Sequence, residues 1–392
     1  MFNRNVLGVG ASATIMVADK ARELKEKGID VISFALGEPD FDTPEIIKNY
    51  AKEALDKGFT KYTDLKGIKP LRDKICEKLK NDNNIDYSPD EIIVSNGAKH
   101  ALFNALYALV NPGEEVIIIT PAWVSYVEQV KLVGGIPINI DSNEDYSLPL
   151  DKIKKAINSN TKAIMINSPC NPTGSVYSED ELRKLAAIVL EHKDVYVISD
   201  EIYEKIIYLP NKHFSIASVS EGMKEKTIVI NGFSKAYAMT GWRMGYSASS
   251  KEIAKLIARI QSHMTSCPNS ISQYSCVRAL DIDSKILDDM VVKFEKRKKI
   301  IFDWVKKHTD DIKVVEPQGA FYFFFDFSKF MGGKIKNSLD MSMYLLEKHN
   351  IALTAGSAFF KENFLRMSYA ASEKNIIEGL NRLEKAIQEL KK

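Results

Sequence analysis

The sequence has no excess of charge of either sign. Its 392 residues contain 54 Lys and Arg against 52 Asp and Glu, which leaves a formal net charge of +2. Nucleic-acid-binding proteins normally carry a basic patch or segment, whereas the lysine-rich stretches here are interleaved with acids, as on a solvated helix face. We therefore expect no nucleic-acid partner.

Paired metal-ligand and disulfide motifs are also missing. The four cysteines include no CxxC pair, and the six histidines show no HxxxH or HExxH spacing. Scattered cysteines are typical of a reducing compartment, and zinc sites usually have closely spaced ligands. The sequence predicts no metal site, although ligands from distant segments could still converge.

Long apolar runs are absent as well. No run reaches the roughly 18 residues that a membrane span needs. The N-terminal segment 1–28 lacks the apolar core of a signal peptide and passes directly into a helix pattern. We expect a cytoplasmic protein with no membrane partner.

The sequence does contain short Val/Ile runs that alternate with amphipathic segments. EIIVSN (Glu91–Asn96), EEVIIIT (Glu114–Thr120), KAIMIN (Lys162–Asn167), VYVIS (Val195–Ser199) and TIVIN (Thr227–Asn231) follow this pattern. Such runs are typical of strands buried on both faces. The predicted fold class is α/β, with a mostly parallel central sheet between layers of helices.

After about residue 283 the pattern changes to a long charged helix, about Ser284–His308, and then to mixed strands and helices. This pattern favours a smaller α+β domain. The first 45 residues have no obvious place in the central sheet and are expected to pack with the C-terminal part. We predict a large domain over 46–282 and a small domain formed by 1–45 and 283–392.

Chemically distinctive residues follow the predicted strands, where ligands bind in open α/β sheets. Asn96-Gly97-Ala98-Lys99 opens a helix and suits an anion, Asp200 ends a buried strand, and Lys235 follows another. Alone, each has an ordinary alternative: a glycine turn, a helix cap or a surface lysine. Together, a phosphate cradle, an acid and a lysine match what pyridoxal 5′-phosphate requires.

The chain resembles the fold-type I, class I aminotransferases of the aspartate aminotransferase family over nearly its whole length. The resemblance is carried, in order, by FALGEPDFDTP, KYTDLKGIKPLRDKI, SNGAKHALFNAL, NSPCNPTG, SDEIYE, SKAYAMTGWRMGY, QGAFYFF and NFLRMSYA. It implies the fold of that family and a pyridoxal-phosphate-dependent transamination between an amino acid and a 2-oxo acid.

The resemblance also implies roles for individual residues. Lys235 would form the internal aldimine and move the substrate proton, and Asp200 would pair with the pyridine nitrogen. Asn171 and Tyr203 would form hydrogen bonds with the phenolic oxygen of the ring, and Trp123 would stack on the ring. Lys235, Asp200 and Tyr203 are thus the expected catalytic residues.

The remaining implied contacts concern the phosphate and the substrate. Tyr62 would reach the phosphate of the other subunit, so the active unit would be a homodimer with shared sites. The phosphate ligands within one chain would be Gly97, Ala98, Lys99, Ser234 and Arg243, and the ligands of the substrate carboxylate would be Arg366, Asn171 and Gly37, next to Trp123.

In relatives that take dicarboxylates, residues at the positions of Lys99 and Thr14 contact the distal carboxylate. Both are present here, which favours aspartate with 2-oxoglutarate, giving oxaloacetate and glutamate. Left open are an aromatic, prephenate or kynurenine-type aminotransferase and a β-lyase acting on cysteine conjugates.

Two readings from other classes are disfavoured. A regulator with an aminotransferase-like sensor domain would carry an N-terminal DNA-binding domain, yet the family pattern begins by about Ser12. A dinucleotide enzyme would rest on Gly8-Val9-Gly10, which no strand precedes and no suitable acid follows.

Overall fold

The structure is a computed structural model. It describes residues 2–10, 13–333 and 335–392, and of residues 13–15 the backbone only. The strands are, in chain order, β1 (Ile32–Ser33), β2 (Ile92–Asn96), β3 (Glu115–Thr120), β4 (Ile136–Asp141), β5 (Thr161–Asn167), β6 (Tyr196–Asp200), β7 (Thr227–Gly232), β8 (Met244–Ala248), β9 (Tyr322–Asp326), β10 (Ile351–Ala352), β11 (Thr354–Ala355) and β12 (Phe364–Ser368).

The helices surround these strands, and several begin directly after one. They are α1 (Arg4–Leu7), α2 (Ala13–Glu26), α3 (Glu45–Asp56), α4 (Lys69–Asn83), α5 (Ala98–Leu109), α6 (Ser125–Leu132), α7 (Leu150–Ala156), α8 (Glu179–Leu190), α9 (Glu221–Lys226), α10 (Lys251–Met264), α11 (Ser270–Ala279), α12 (Ser284–Val305), α13 (Ser338–His349) and α14 (Glu373–Leu390). In the described part of the chain, no helix has both the length and the apolar character that crossing a membrane requires.

The central sheet has seven strands in the order β2-β8-β7-β6-β5-β3-β4. All neighbours are parallel except β8, which runs antiparallel to both β7 and β2. The predicted mostly parallel sheet is therefore confirmed. The Val/Ile pattern missed β4, an edge strand with exposed positions, and β8, whose sequence MGYSA is poor in branched residues.

Helices pack against the buried strands on both faces of this sheet. Along β3, Val116 and Ile118 join a core with α5, α6 and α10, whereas Ile117 and Ile119 join a core with α7 and α8. Successive strand residues point to opposite faces, so an unbroken apolar run is what a sheet covered on both sides needs.

A separate core lies around the antiparallel sheet β11-β12-β9, which contains the buried Phe323 and Phe325. The two ends of the chain meet nearby, because β1 pairs in parallel with β10 and Val17 of α2 packs with Leu346 of α13. The domain boundaries at 45/46 and 282/283 stay a prediction.

Candidate active site

A cavity of about 550 Å³ opens at the carboxyl ends of β5, β6 and β7, beside the start of α5. Strands from the central sheet supply one wall, and residues from α2, β9 and β12 supply the other. Most of the predicted site residues line it: Gly37, Ala98, Lys99, Trp123, Asn171, Asp200, Tyr203, Ser234, Lys235, Arg243 and Arg366.

Two of the other predicted residues, Gly97 and Tyr62, do not line the cavity. Gly97 lies directly behind it as the residue before α5, and Tyr62 is 90% exposed on the surface of the single chain. Thr14 is a residue whose side chain lies outside the described part of the structure. The structure therefore places no contact for Thr14.

The start of α5 forms an anion cradle. Gly97 has a φ of +83°, and a Cβ there would collide with the guanidinium of Arg243, while a Cβ on Gly245 would collide with the backbone of Ala98. The glycines let the arginine and strand β8 approach the helix start closely. The free N–H groups of a helix N-terminus and its positive dipole end favour a phosphate.

Asp200 ends β6 and is 5% exposed. Its Oδ2 accepts from the Tyr126 hydroxyl at 2.7 Å, and its Oδ1 accepts from the backbone of Ile202 at 3.2 Å. Burial raises the pKa of Asp200 to about 6, although these two hydrogen bonds oppose the shift. A carboxylate held this way is suited to a cationic ligand.

Lys235 lies across the cavity, where its Nζ donates to the carbonyl of Gly37 at 2.6 Å. Burial lowers the pKa of Lys235 to about 8, and the charges of Arg366 and Arg243 act in the same direction. About a tenth of the amine is consequently uncharged at pH 7, far more than for an ordinary lysine, and a nucleophile and proton carrier needs this uncharged form.

Arg366 is a buried guanidinium on β12. It donates to Asn171 Oδ1 at 2.9 Å and to the carbonyl of Ala35 at 2.6 Å, and it lies between the rings of Tyr322 and Phe359. Within the described residues it forms no ion pair with a carboxylate, and its Nε lacks a hydrogen-bond partner. A buried cation without a counter-ion favours an anionic ligand.

Lys99 and Trp123 form the outer part of the cavity. The Nζ of Lys99 lies 4.6 Å from the centre of the Trp123 ring. Burial lowers the pKa of Lys99, and the neighbouring Arg243 adds to this. Lys99 therefore adds a cation to the cavity that Arg366 also lines, which suits a ligand with two acidic groups.

The structure adds site residues that sequence reasoning missed. Tyr126 holds Asp200, Asn167 accepts from the backbone of Asn171 at 2.9 Å, and the Tyr322 hydroxyl lies 2.8 Å from that of Tyr203. Arg22 of α2 also lines the cavity mouth. Two of these residues could have been found from their positions, because Tyr126 follows the predicted site residue Trp123 by three residues and Asn167 ends the predicted strand KAIMIN. Nothing in the sequence separates Tyr322 from the other aromatic residues of its strand.

A second group of buried charges lies behind Asp200. Glu201 accepts from Ser215 at 2.6 Å and contacts His213 Nε2 at 3.0 Å, while Glu204 pairs with Lys78 and accepts from Asn83 at 2.8 Å. We call Lys78, Asn83, Glu201, Glu204 and His213 the paired cluster.

The acids of the paired cluster are already compensated. Although burial alone would raise it, Lys78 and His213 hold the pKa of Glu204 down to about 2. Glu201, Glu204 and His213 place ligand atoms within 4.8 Å of one another, as a metal site would, but Lys78 already supplies the balancing charge. That the protein binds no metal stays a prediction.

Comparisons with known proteins agree with this geometry. A family model described as aminotransferase class I and II matches residues 29–383. A probable aspartate/prephenate aminotransferase of Aquifex aeolicus is 43% identical over 97% of this chain and 96% of its own length, and an aspartate aminotransferase of Bacillus subtilis is 42% identical over 98% of both.

Solved structures match over the same extent. The aspartate aminotransferase of Thermus thermophilus with maleate superposes with a TM-score of 0.93 at 37% identity, covering 98% of this chain and 99% of that one. The corresponding enzyme of Rhizobium meliloti gives a TM-score of 0.95 at 38% identity over 99% of both chains. At these identities the likeness extends beyond the fold.

Proposed function

We propose, on the premise that this chain belongs to the class I and II aminotransferase family, that it transfers the amino group of aspartate to 2-oxoglutarate with pyridoxal 5′-phosphate as cofactor. The observation that carries the proposal is that one cavity holds both Lys235, whose pKa is lowered to about 8, and the buried Asp200, without an ion pair between them among the described residues. An amine of lowered pKa and a buried acid in one cavity support this chemistry.

The residues present fit this cofactor. The N-terminus of α5 with Arg243 and Ser234 suits a phosphate, and Asp200 suits a protonated pyridine nitrogen. Lys235 supplies the amine that the cofactor needs for attachment. When bound, pyridoxal phosphate supplies a reactive aldehyde carbon and a ring that accepts electrons from the substrate.

The chain's own residues would bind and orient the substrate and would move its proton. Arg366 holds the α-carboxylate of the substrate with its planar fork, and Asn171, already bonded to Arg366, lies beside that carboxylate. The amine of Lys235 would carry the proton of the substrate α-carbon, because burial leaves part of it uncharged near neutral pH. Asn171 and Tyr203 would hold the cofactor ring through its phenolic oxygen, and Trp123 would lie against the ring.

The choice of aspartate is supported by Lys99 and by the relatives. Lys99 supplies a cation to the same cavity as Arg366, and relatives at 42% identity are named aspartate aminotransferase. The Thermus relative was solved with maleate, a dicarboxylate. A second candidate is transfer to prephenate, which the name of the Aquifex relative favours.

The proposal includes a homodimer with shared sites and a cytoplasmic location. Tyr62 is supported as a contact to the partner's phosphate site because its ring is 90% exposed in the single chain, an unusual state for an aromatic residue. The four free cysteines support a reducing compartment. Sedimentation at micromolar concentration should give the mass of a dimer, and a monomer would contradict the shared site.

The direct test follows the absorbance of the purified protein. The bound cofactor should colour it yellow, aspartate should remove that absorbance, and 2-oxoglutarate should restore it. Lys235→Ala should abolish the cycle, whereas Lys255→Ala, at an exposed position of α10, should not change it. Continued turnover by Lys235→Ala would refute the proposal.

The substrate choice needs its own comparison. Lys99→Ala should lower kcat/KM for aspartate by about 10²-fold, because a charge-assisted contact to the distal carboxylate is lost. The value for an aromatic amino donor should change much less. Equal losses for both donors would remove Lys99 from the distal-carboxylate role and leave the transamination itself intact.

A further inference from the structure

The hydroxyl groups of Tyr203 and Tyr322 lie 2.8 Å apart at the floor of the cavity. Resting on the function proposed above, we propose that Tyr322 is a positioning residue that donates its hydroxyl proton to Tyr203 and so strengthens the hydrogen bond from Tyr203 to the phenolic oxygen of the cofactor. The two tyrosines then form a chain of donors that ends on the cofactor.

The position of the Tyr322 hydroxyl is tightly fixed. Tyr203 follows β6 and Tyr322 opens β9, so the pair joins the central sheet to the antiparallel sheet. Both side chains are buried, Tyr203 being 4% exposed and Tyr322 0%. A Cβ on Gly37 would lie only 2.5 Å from the Tyr322 hydroxyl oxygen, so the backbone there holds the phenol against its partner.

Proton counting gives the direction of the hydrogen bond. A phenol donates one proton and accepts through its lone pairs. If Tyr203 donates to the cofactor, its oxygen can only accept from Tyr322. Tyr203 is also the one polar partner found for the Tyr322 hydroxyl among the residues that the structure describes, so Tyr322 has no competing acceptor there.

The electrostatic surroundings keep both phenols protonated and so available as donors. Burial raises the pKa of both phenols, so each keeps its proton at physiological pH. The guanidinium of Arg366 opposes that rise in both phenols, and it lies 4.6 Å from the centre of the Tyr322 ring. A phenol polarised by an adjacent cation is a stronger donor, and a chain of hydrogen bonds polarises its terminal member.

A purely structural role for Tyr322 would depend on its ring. The ring packs against Arg366 and meets Tyr203 edge to face at 5.8 Å between ring centres. Tyr322→Phe keeps this ring and removes only the hydroxyl. The chain offers a matched control in Tyr369→Phe, because Tyr369 donates to Tyr208 at 2.9 Å in a similar buried pair that does not line the cavity.

The test titrates the absorbance of the bound cofactor against pH in the holoenzyme. Donors to the phenolic oxygen compete for the proton of the nitrogen that joins Lys235 to the cofactor, so they lower the pKa of that nitrogen. Tyr322→Phe should raise this pKa by about half a unit to one unit, the size of one hydrogen bond. Tyr369→Phe should leave it unchanged.

A double variant separates action through Tyr203 from a direct effect. Tyr203→Phe should raise the same pKa further than Tyr322→Phe does. Adding Tyr322→Phe to Tyr203→Phe should cause no additional rise, because the chain is already broken. Additive shifts, or a Tyr322→Phe titration equal to that of the wild type, would overturn the proposal.

The outcomes also distinguish this inference from the proposed function. A wild-type protein that cycles with aspartate and 2-oxoglutarate, combined with an unshifted Tyr322→Phe titration, would refute the role of Tyr322 alone. A wild-type protein that binds no pyridoxal phosphate would refute both. An equal rise in Tyr369→Phe would indicate general loosening and would likewise remove the specific role.

Discussion

Asp200 and Glu201 are adjacent in sequence and both are buried, yet they belong to opposite kinds of electrostatic environment. Asp200 faces the cavity with a pKa raised to about 6, held by one tyrosine hydroxyl and one backbone N–H. Glu201 belongs to the paired cluster, and Ser199, Ser215 and His213 all contact its carboxylate.

The same contrast separates the buried cations. Arg366 has hydrogen bonds but no carboxylate partner within the described residues, whereas Lys78 is bonded to Glu204. Burying a charge is costly unless it is paired. We infer that the cavity keeps its charges unpaired for a ligand, and that the paired cluster uses its charges to fix the fold behind it.

The largest expected effect is on catalysis. Asp200→Asn should lower kcat by about 10³-fold, because it removes the charge that stabilises a protonated ring nitrogen. Glu204→Gln, the same change in the paired cluster, should leave kcat close to the wild-type value. Steady-state kinetics on saturated holoenzyme measures both. A comparable loss in the two variants would mean that the cluster takes part in the chemistry.

Stability should show the reverse order. Glu204→Gln leaves Lys78 buried beside a neutral amide and should lower the free energy of unfolding by about 3 kcal/mol. Asp200→Asn should not destabilise the cofactor-free protein at pH 8, because it removes an ionised group that burial disfavours. Urea unfolding of the two cofactor-free variants gives the comparison. Destabilisation by Asp200→Asn would show that contacts within the fold already compensate the charge of Asp200.

The sequence could predict the strands on which the cavity and the paired cluster lie, but not which charges are paired and which face the cavity. Val/Ile runs predicted β2, β3, β5, β6 and β7, because burial on both faces dictates their composition, and the strand ends then placed Asp200 and Lys235 at one edge. Strand β4 was missed because it lies at an exposed edge. Strand β8 was missed because MGYSA carries no such pattern.

Which acid faces the cavity depends on contacts between distant segments. Neither the pairing of Glu204 with Lys78, 126 positions away along the chain, nor that of Tyr203 with Tyr322 leaves a local pattern. The resemblance to a known family supplied the role of Asp200, but it was silent on Tyr126 and Tyr322.

The pH dependence of stability should have opposite signs in the two regions. The pKa of Asp200 is raised from 3.8 to about 6 in the folded chain, so its ionisation between these pH values favours unfolding. The stability of Asp200→Asn relative to the wild type should therefore fall by about 2 kcal/mol as the pH is lowered from 7 to 4.

Glu204 provides the opposing case. Its pKa is lowered from 4.5 to about 2, so the stability it contributes is present above pH 4.5 and is lost as the pH falls toward 2. The difference between the wild type and Glu204→Gln should grow somewhat from pH 8 to pH 5, because Glu204 helps to raise the pKa of His213 as that residue gains its proton, and it should shrink below pH 5. Urea midpoints at several pH values check both curves, and parallel curves would contradict the assignment.

The smallest expected effect concerns Tyr126, which gives Asp200 its side-chain hydrogen bond at 2.7 Å. This hydrogen bond opposes the rise in the pKa of Asp200, so Tyr126→Phe should raise that pKa further, by up to about one unit. Since a protonated Asp200 cannot balance a cationic ring nitrogen, the pH below which cofactor affinity falls should move upward by the same amount. Ser215→Ala, which removes a donor from Glu201, should leave that pH unchanged, and an equal shift in both variants would mean that the two neighbouring acids titrate as one system.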